Sequence, residues 1–273
     1  MRTPAFLYGT AWKEGDTARC VDAALRAGFR GIDTANQRKH YHEADVGEAL
    51  ERAYGQGLLT RSDLFLQTKF TFREGQDHRL PYDPEAPVAL QVEQSFASSL
   101  EHLRTEVLDA YVLHGPSMAV GLTADDRSAW QAMEALYRAG KTRSLGVSNV
   151  NLEQLRALVE LAEIKPRFVQ NRCFARTGWD KELRAFCRTQ DITYQGFSLL
   201  TANGWIGRDA RFMDIVRRSG KTAPQVVFAF ALQVGMLPLT GTTDPQHMCE
   251  DLACARFELP EQDVRTIEAL AVR

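Results

Sequence analysis

The feature that most constrains this chain is a rhythm: short apolar, β-prone runs alternate with longer amphipathic stretches along its whole length. The runs fall at 5–10, 29–34, 63–69, 108–114, 143–148, 167–172, 192–197 and 236–240. Several are almost unbroken in apolar residues, as strands covered on both faces require. The stretches between them cover 16–27, 43–54, 88–103, 123–139, 152–162, 179–189, 222–233 and 245–253. They carry apolar residues at helical spacing, as Ala18, Val21, Ala24 and Leu25 do in the first. Gly28, Gly140 and Gly235 each follow such a stretch, where a helix C-terminus wants a residue free to take positive φ. Eight units over 273 residues give about 34 per repeat, the size of a βα unit. Eight such units close more naturally into a (β/α)8 barrel of the TIM type than they spread as an open doubly wound sheet. The expectation is therefore an α/β chain, a single barrel domain over 1–273. The Pro-rich 80–87 segment reads as a rim loop. The Gly-containing loop at 200–211 precedes an extra short helix at 212–218, and a last amphipathic helix begins at Glu261.

Charge and cysteine usage exclude several functions. Lys plus Arg total 33 and Asp plus Glu 35, a net charge of −2, so no basic footprint for nucleic acid or an anionic membrane is expected. No apolar run approaches the ~18 residues of a membrane span, and the N-terminal residues lack a secretory pattern; the expected setting is cytoplasmic. The five cysteines, Cys20, Cys173, Cys187, Cys249 and Cys254, are scattered and form no CxxC pair. Neither a zinc site, another metal site nor a disulfide framework is expected. The partner is then a small molecule, and the oligomeric state is not legible.

In such a barrel the active site lies at the C-terminal ends of the strands. The strand ends include Asp33, Lys69 and His114, each closing an apolar run. Burying Asp33 or Lys69 alone costs several kcal/mol, roughly, so the two, on neighbouring strands, are expected to pair. That pair is either a structural salt bridge or part of a proton-transfer site. The second reading needs an acid. Tyr41, eight residues beyond Asp33, can return over the barrel mouth, and a phenol near pKa 10 gains from a cation beside it. His114 is either a hydrogen-bonded wall residue or a group that orients a carbonyl.

The chain resembles the aldo-keto reductases, (β/α)8 enzymes that use a nicotinamide cofactor without a Rossmann fold. The matching stretches are Gly9-Thr10-Ala11-Trp12, Gly31-Ile32-Asp33-Thr34-Ala35, Glu43 to Val46-Gly47, Thr68-Lys69, Leu113-His114, Gly146-Val147-Ser148-Asn149, Val169-Gln170-Asn171 and Gly241-Thr242. They occur in family order across 9–251. The resemblance implies a catalytic tetrad of Asp33, Tyr41, Lys69 and His114, with Tyr the general acid and Lys lowering its pKa. It implies that Gly9 and Thr10 border the cofactor, that Ser148, Asn149 and the Gln170–Asn171 pair hold the carboxamide, and that Phe197 stacks under the nicotinamide. Ser198 to Thr201, including Leu200, would cover the pyrophosphate. Gly241, Thr242, Thr243, His247, Glu250 and Asp251 fall where the family binds the adenosine end. Trp12, Phe72 and Trp205 are candidates for the substrate pocket wall.

Two departures stand out. The family places Tyr five residues after Asp and three before Glu, whereas Asp33 and Glu43 are ten apart and Tyr41 is two before Glu43. Tyr41 is the only phenol in that loop, and His40 is the competing proton donor; Arg38 and Lys39 are a solvated rim or a greeting for an anionic substrate. Where NADP-preferring relatives carry Lys and Arg for the 2′-phosphate, this chain has Gly241 and His247. Family habit favours NADPH, with NADH left open; Thr242, Thr243 and the N-terminus of the helix near Pro245 remain as phosphate donors, with Arg208 as a further cation. The expected function is reduction of an aldehyde or ketone to an alcohol by hydride transfer. The alternatives are a barrel enzyme that forms a Schiff base on Lys69 and a nicotinamide-binding interaction protein.

Overall fold

The structure, a computed structural model, describes residues 3–270. Its eight strands are β1 (Leu7–Gly9), β2 (Gly31–Asp33), β3 (Phe65–Phe70), β4 (Ala110–Leu113), β5 (Leu145–Ser148), β6 (Phe168–Arg172), β7 (Thr193–Phe197) and β8 (Met236–Thr240). They pair in parallel in chain order, and β8 returns to β1 to close the barrel. Outside them lie α1 (Thr17–Ala27), α2 (Glu43–Gly55), α3 (Val88–Leu103), α4 (Ala124–Arg138), α5 (Leu152–Leu161) and α6 (Lys181–Thr189). An inserted α7 (Ala210–Ser219) precedes α8 (Ala223–Gln233), α9 (Pro245–Ala253) and α10 (Glu261–Glu268). The expected (β/α)8 barrel is the observed one. No helix among the described residues is long and apolar enough to cross a membrane.

Element boundaries shift where caps consume backbone groups. The run 29–34 becomes strand only at Gly31, because the Phe29 N–H donates to the Ala24 carbonyl in the C-terminal cap of α1, where Gly28 sits at φ 112°. The helix expected from 179 starts at Lys181, since Trp179 and Asp180 both lie in the left-handed region, at φ 57° and 53°. Trp179 is buried there, and its Nε1 donates to the Ile267 carbonyl. The inserted helix begins at Ala210 rather than 212, capped by the Asp209 carboxylate on the Arg211 N–H.

The barrel interior is layered by the period of two along each strand. Leu7, Phe65, Ala110, Phe168 and Leu237 form an apolar floor, with the Phe65 and Phe168 rings 5.4 Å apart between centroids. Two residues beyond Phe65 and Phe168 come the buried Gln67 and Gln170, and Gln195 of β7 pairs with Gln170 at the same level. This polar layer supports the site above it.

Candidate active site

Asp33 ends β2, and its Oδ1 is the meeting point of the polar layer. Lys69 Nζ donates to it at 2.6 Å, Gln67 Nε2 at 2.6 Å and Gln170 Nε2 at 3.0 Å. Gln195 closes the layer: its Oε1 accepts from Gln67 and Gln170, and its Nε2 donates to Gln67 Oε1. Lys69 also donates to the Thr34 carbonyl at 2.8 Å and is fully buried. Burial draws the Lys69 ammonium below its ordinary pKa, and Asp33 pulls it back up. Lys69 does not border the cavity at the barrel mouth, so its amine has no access to a carbonyl there and the Schiff-base reading lacks a path.

The two-residue insertion after Asp33 is taken up by a turn. The His40 and Tyr41 N–H groups both donate to the Gln37 carbonyl at 3.0 Å, and Gln37 Nε2 is tied to the Gly75 carbonyl. The turn returns Tyr41 over the mouth, where Lys69 Nζ lies 5.4 Å from its ring centroid and the His114 ring packs edge-on at 6.1 Å. Tyr41 and His114 both line the cavity. Lys69 is the cation beside the phenol, as the resemblance implies. Its cation is engaged by Asp33 and Thr34, and burial, helped by the Asp33 charge, pushes Tyr41 well above its usual range. His40 also lines the cavity, but its ring lies 3.7 Å from that of Trp12, and its carbonyl accepts the Trp12 N–H. Arg38 does not line the cavity; it reaches toward Ser98.

His114 directly follows β4. Burial, with Lys69 and His40 nearby, draws its pKa down to about 3. Its Nδ1 is 2.6 Å from Thr71 Oγ1, and its carbonyl accepts from Asn149 Nδ2 at 2.7 Å.

From this corner a cavity of about 1200 Å³ runs toward the N-terminal end of α9. Gly9, Ser148, Asn149, Gln170, Phe197, Ser198 and Leu200 border it, followed by Gly241, Thr242, Thr243, His247, Glu250 and Asp251. Asn149 Oδ1 and Gln170 Oε1 accept no hydrogen bond among the described residues. The Ser148 hydroxyl is spent on the Gln170 carbonyl. Asp251 accepts from the Thr240 hydroxyl, and burial raises its pKa to about 6.

Four expected residues face elsewhere. Thr10 is buried, with its hydroxyl on the Asp33 carbonyl. Asn171 points outward because strand alternation turns it away from Gln170; it clamps Val150 through both its N–H and carbonyl. Phe72 packs edge-on against Phe70, and Trp205 lies under Arg176. Trp12 does line the mouth, 70% exposed and at φ 60°. The α9 N-terminus is also not free: the Asp244 carboxylate accepts from the Gln246 and His247 N–H groups, and Arg208 lies off the cavity.

The sequence reading missed Lys13, Arg172 and Phe174, all cavity residues. Lys13 is the instructive one. It is buried, its Nζ donates to the Gly241 carbonyl at 2.6 Å, and it sits 3.7 Å from where a Gly241 Cβ would be. The loop after β1 thus brings an amine beside Gly241, just past β8. Its signal was plain: it follows Gly9-Thr10-Ala11-Trp12 directly.

Comparison with known proteins agrees with this geometry. The model of the aldo/keto reductase family matches residues 7–272. The chain belongs to the aldo/keto reductase family. It is 30% identical over 255 residues to the glyoxal reductase of Bacillus subtilis, covering 93% of this chain and 83% of that one. An aldo-keto reductase from a Medee basin deep-sea metagenome library superposes with a TM-score of 0.84 at 23% identity, covering 99% of this chain and 92% of that chain. A Bombyx mori aldo-keto reductase in complex with NADP superposes with a TM-score of 0.82 at 23% identity, covering 98% and 89%.

Proposed function

We propose that this aldo-keto reductase reduces a small aldehyde or ketone to the alcohol, using NADPH, in a cytoplasmic setting. The observation that carries the reading is the convergence of Tyr41, His114 and the Asp33–Lys69 pair beside one long cavity at the strand C-termini. The named activity of the glyoxal reductase relative agrees with a small carbonyl substrate.

The residues present fit a nicotinamide dinucleotide. Asn149 Oδ1 and Gln170 Oε1 are two unused amide acceptors facing the cavity, suited to a carboxamide NH2. Phe197 offers a ring face, which is all that stacking requires. Lys13 brings a buried cation to the phosphate-bearing end. The bound cofactor supplies the hydride. The chain's task is to hold the carbonyl and deliver a proton to its oxygen. His114, neutral, donates to that oxygen without adding charge. Tyr41, whose phenol burial pushes above its usual range, is protonated at neutral pH and gives its proton as the oxygen becomes alkoxide, a far stronger base than phenolate. His40, stacked beneath Trp12, is a rim residue in this scheme.

The test compares Tyr41→Phe with His40→Ala on one substrate, with cofactor binding followed by fluorescence titration. Tyr41→Phe loses about 10²–10⁴-fold in kcat at nearly unchanged NADPH affinity, while His40→Ala retains most activity. The reverse order would move the acid to His40.

A further inference from the structure

We infer that Thr71 is a positioning residue that fixes the tautomer of His114: its hydroxyl donates to Nδ1, so the ring proton sits on Nε2, on the edge turned to the cavity. Thr71 Oγ1 and His114 Nδ1 are 2.6 Å apart. A hydroxyl can donate or accept, so distance alone does not choose the direction. The surroundings do. Among the described residues, the Thr71 hydroxyl has no other acceptor, and Thr71 is buried. If Nδ1 carried the proton, the hydroxyl hydrogen would be left unpaired in the interior, and Nε2 would turn a lone pair toward a substrate carbonyl oxygen. With the hydroxyl donating, every proton is used and Nε2–H is a donor.

The threonine is held to this task. Its carbonyl accepts from the Tyr82 hydroxyl at 2.8 Å and from Gln76 Nε2 at 3.4 Å. Its methyl packs over Gly75, where an added Cβ would lie only 2.7 Å from Thr71 Cγ2. Gly75 therefore keeps the methyl on one side and leaves Oγ1 facing the histidine. Neutral imidazole is required throughout, and burial keeps His114 neutral at pH 7.

The catalytic part of this inference rests on the reductase reading; the tautomer does not. ¹⁵N NMR of histidine-labelled protein at pH 7, with the signal assigned by loss in His114→Gln, reads the tautomer without substrate or cofactor. The wild type shows protonated Nε2. Thr71→Val gives a mixture of tautomers and lowers kcat about tenfold, the worth of one oriented hydrogen bond, at unchanged NADPH Kd. Thr71→Ser restores both, and Gly75→Ala disturbs the tautomer as Thr71→Val does. A wild-type Nδ1–H tautomer overturns the inference, as does a Thr71→Val protein with unchanged tautomer and kcat. A wild type that reduces no carbonyl refutes the reductase reading alone.

Discussion

Replacing Lys69 with Met leaves a shape close to the original and removes one charge, so it isolates what the cation does. Asp33 is 2% exposed, and in the variant its carboxylate stays buried with only Gln67 and Gln170 donating to Oδ1. Breaking a buried ion pair from one side typically costs about 3–5 kcal/mol, because the remaining charge has lost both water and partner. Two surviving amide donors put Lys69→Met at the low end, about 3 kcal/mol, or roughly 6–12 °C in Tm for a chain of this size. The Thr34 carbonyl also loses its donor, which works in the same direction. Asp33→Asn with Lys69→Met removes both charges, and the double variant recovers most of the loss. Urea unfolding at pH 7 of the two single variants, the double variant and the wild type measures the coupling. A Lys69→Met protein as stable as the wild type, or a double variant no better than the single, would refute the claim that the pair is held by mutual charge compensation.

Acid sensitivity follows from His114. Its folded pKa of about 3 lies below the ordinary value near 6.5, so between those limits the unfolded chain takes up a proton that the folded chain refuses. Stability from this group is complete above pH 6.5 and is lost as pH falls toward 3; urea midpoints at pH 7.5 and 5 fall less in His114→Asn than in the wild type, and equal slopes would contradict it. Lys13→Met weakens NADPH and NADH alike by about ten- to hundredfold, the worth of a hydrogen bond to a charged group, and an unchanged titration would remove Lys13 from the cofactor site. The preference for NADPH over NADH stays within about the same range, because Gly241 has no side chain and Asp244 occupies the α9 amides; a ratio many times larger in paired Kd measurements would mean a cation elsewhere meets the 2′-phosphate.

The barrel was legible because two periodicities coexist along the chain without conflict. On β3, Phe65, Gln67 and Lys69 recur every second residue, so one strand carries a floor residue, a supporting amide and a site cation in order. The same alternation explains the misreadings. Gln170 and Asn171 are one residue apart, and that single step sends the first to Asp33 and the second behind the strand to Val150. A motif names both; only the pleat separates them. Loops obey no such period. Phe72 and Trp205 were read from their neighbourhood along the chain, but each finds an aromatic or cationic partner away from the mouth. The turn that seats Tyr41 is set by two N–H groups converging on the Gln37 carbonyl, a backbone arrangement with no side-chain signature. The placement of the proposed site residues at strand ends therefore follows from sequence, whereas how each is held depends on loop contacts such as Thr71 with His114. That division is why the departure from family spacing still leaves Tyr41 beside Lys69 and His114: the two extra residues lie between Asp33 and Glu43, and the turn absorbs them before the chain reaches α2.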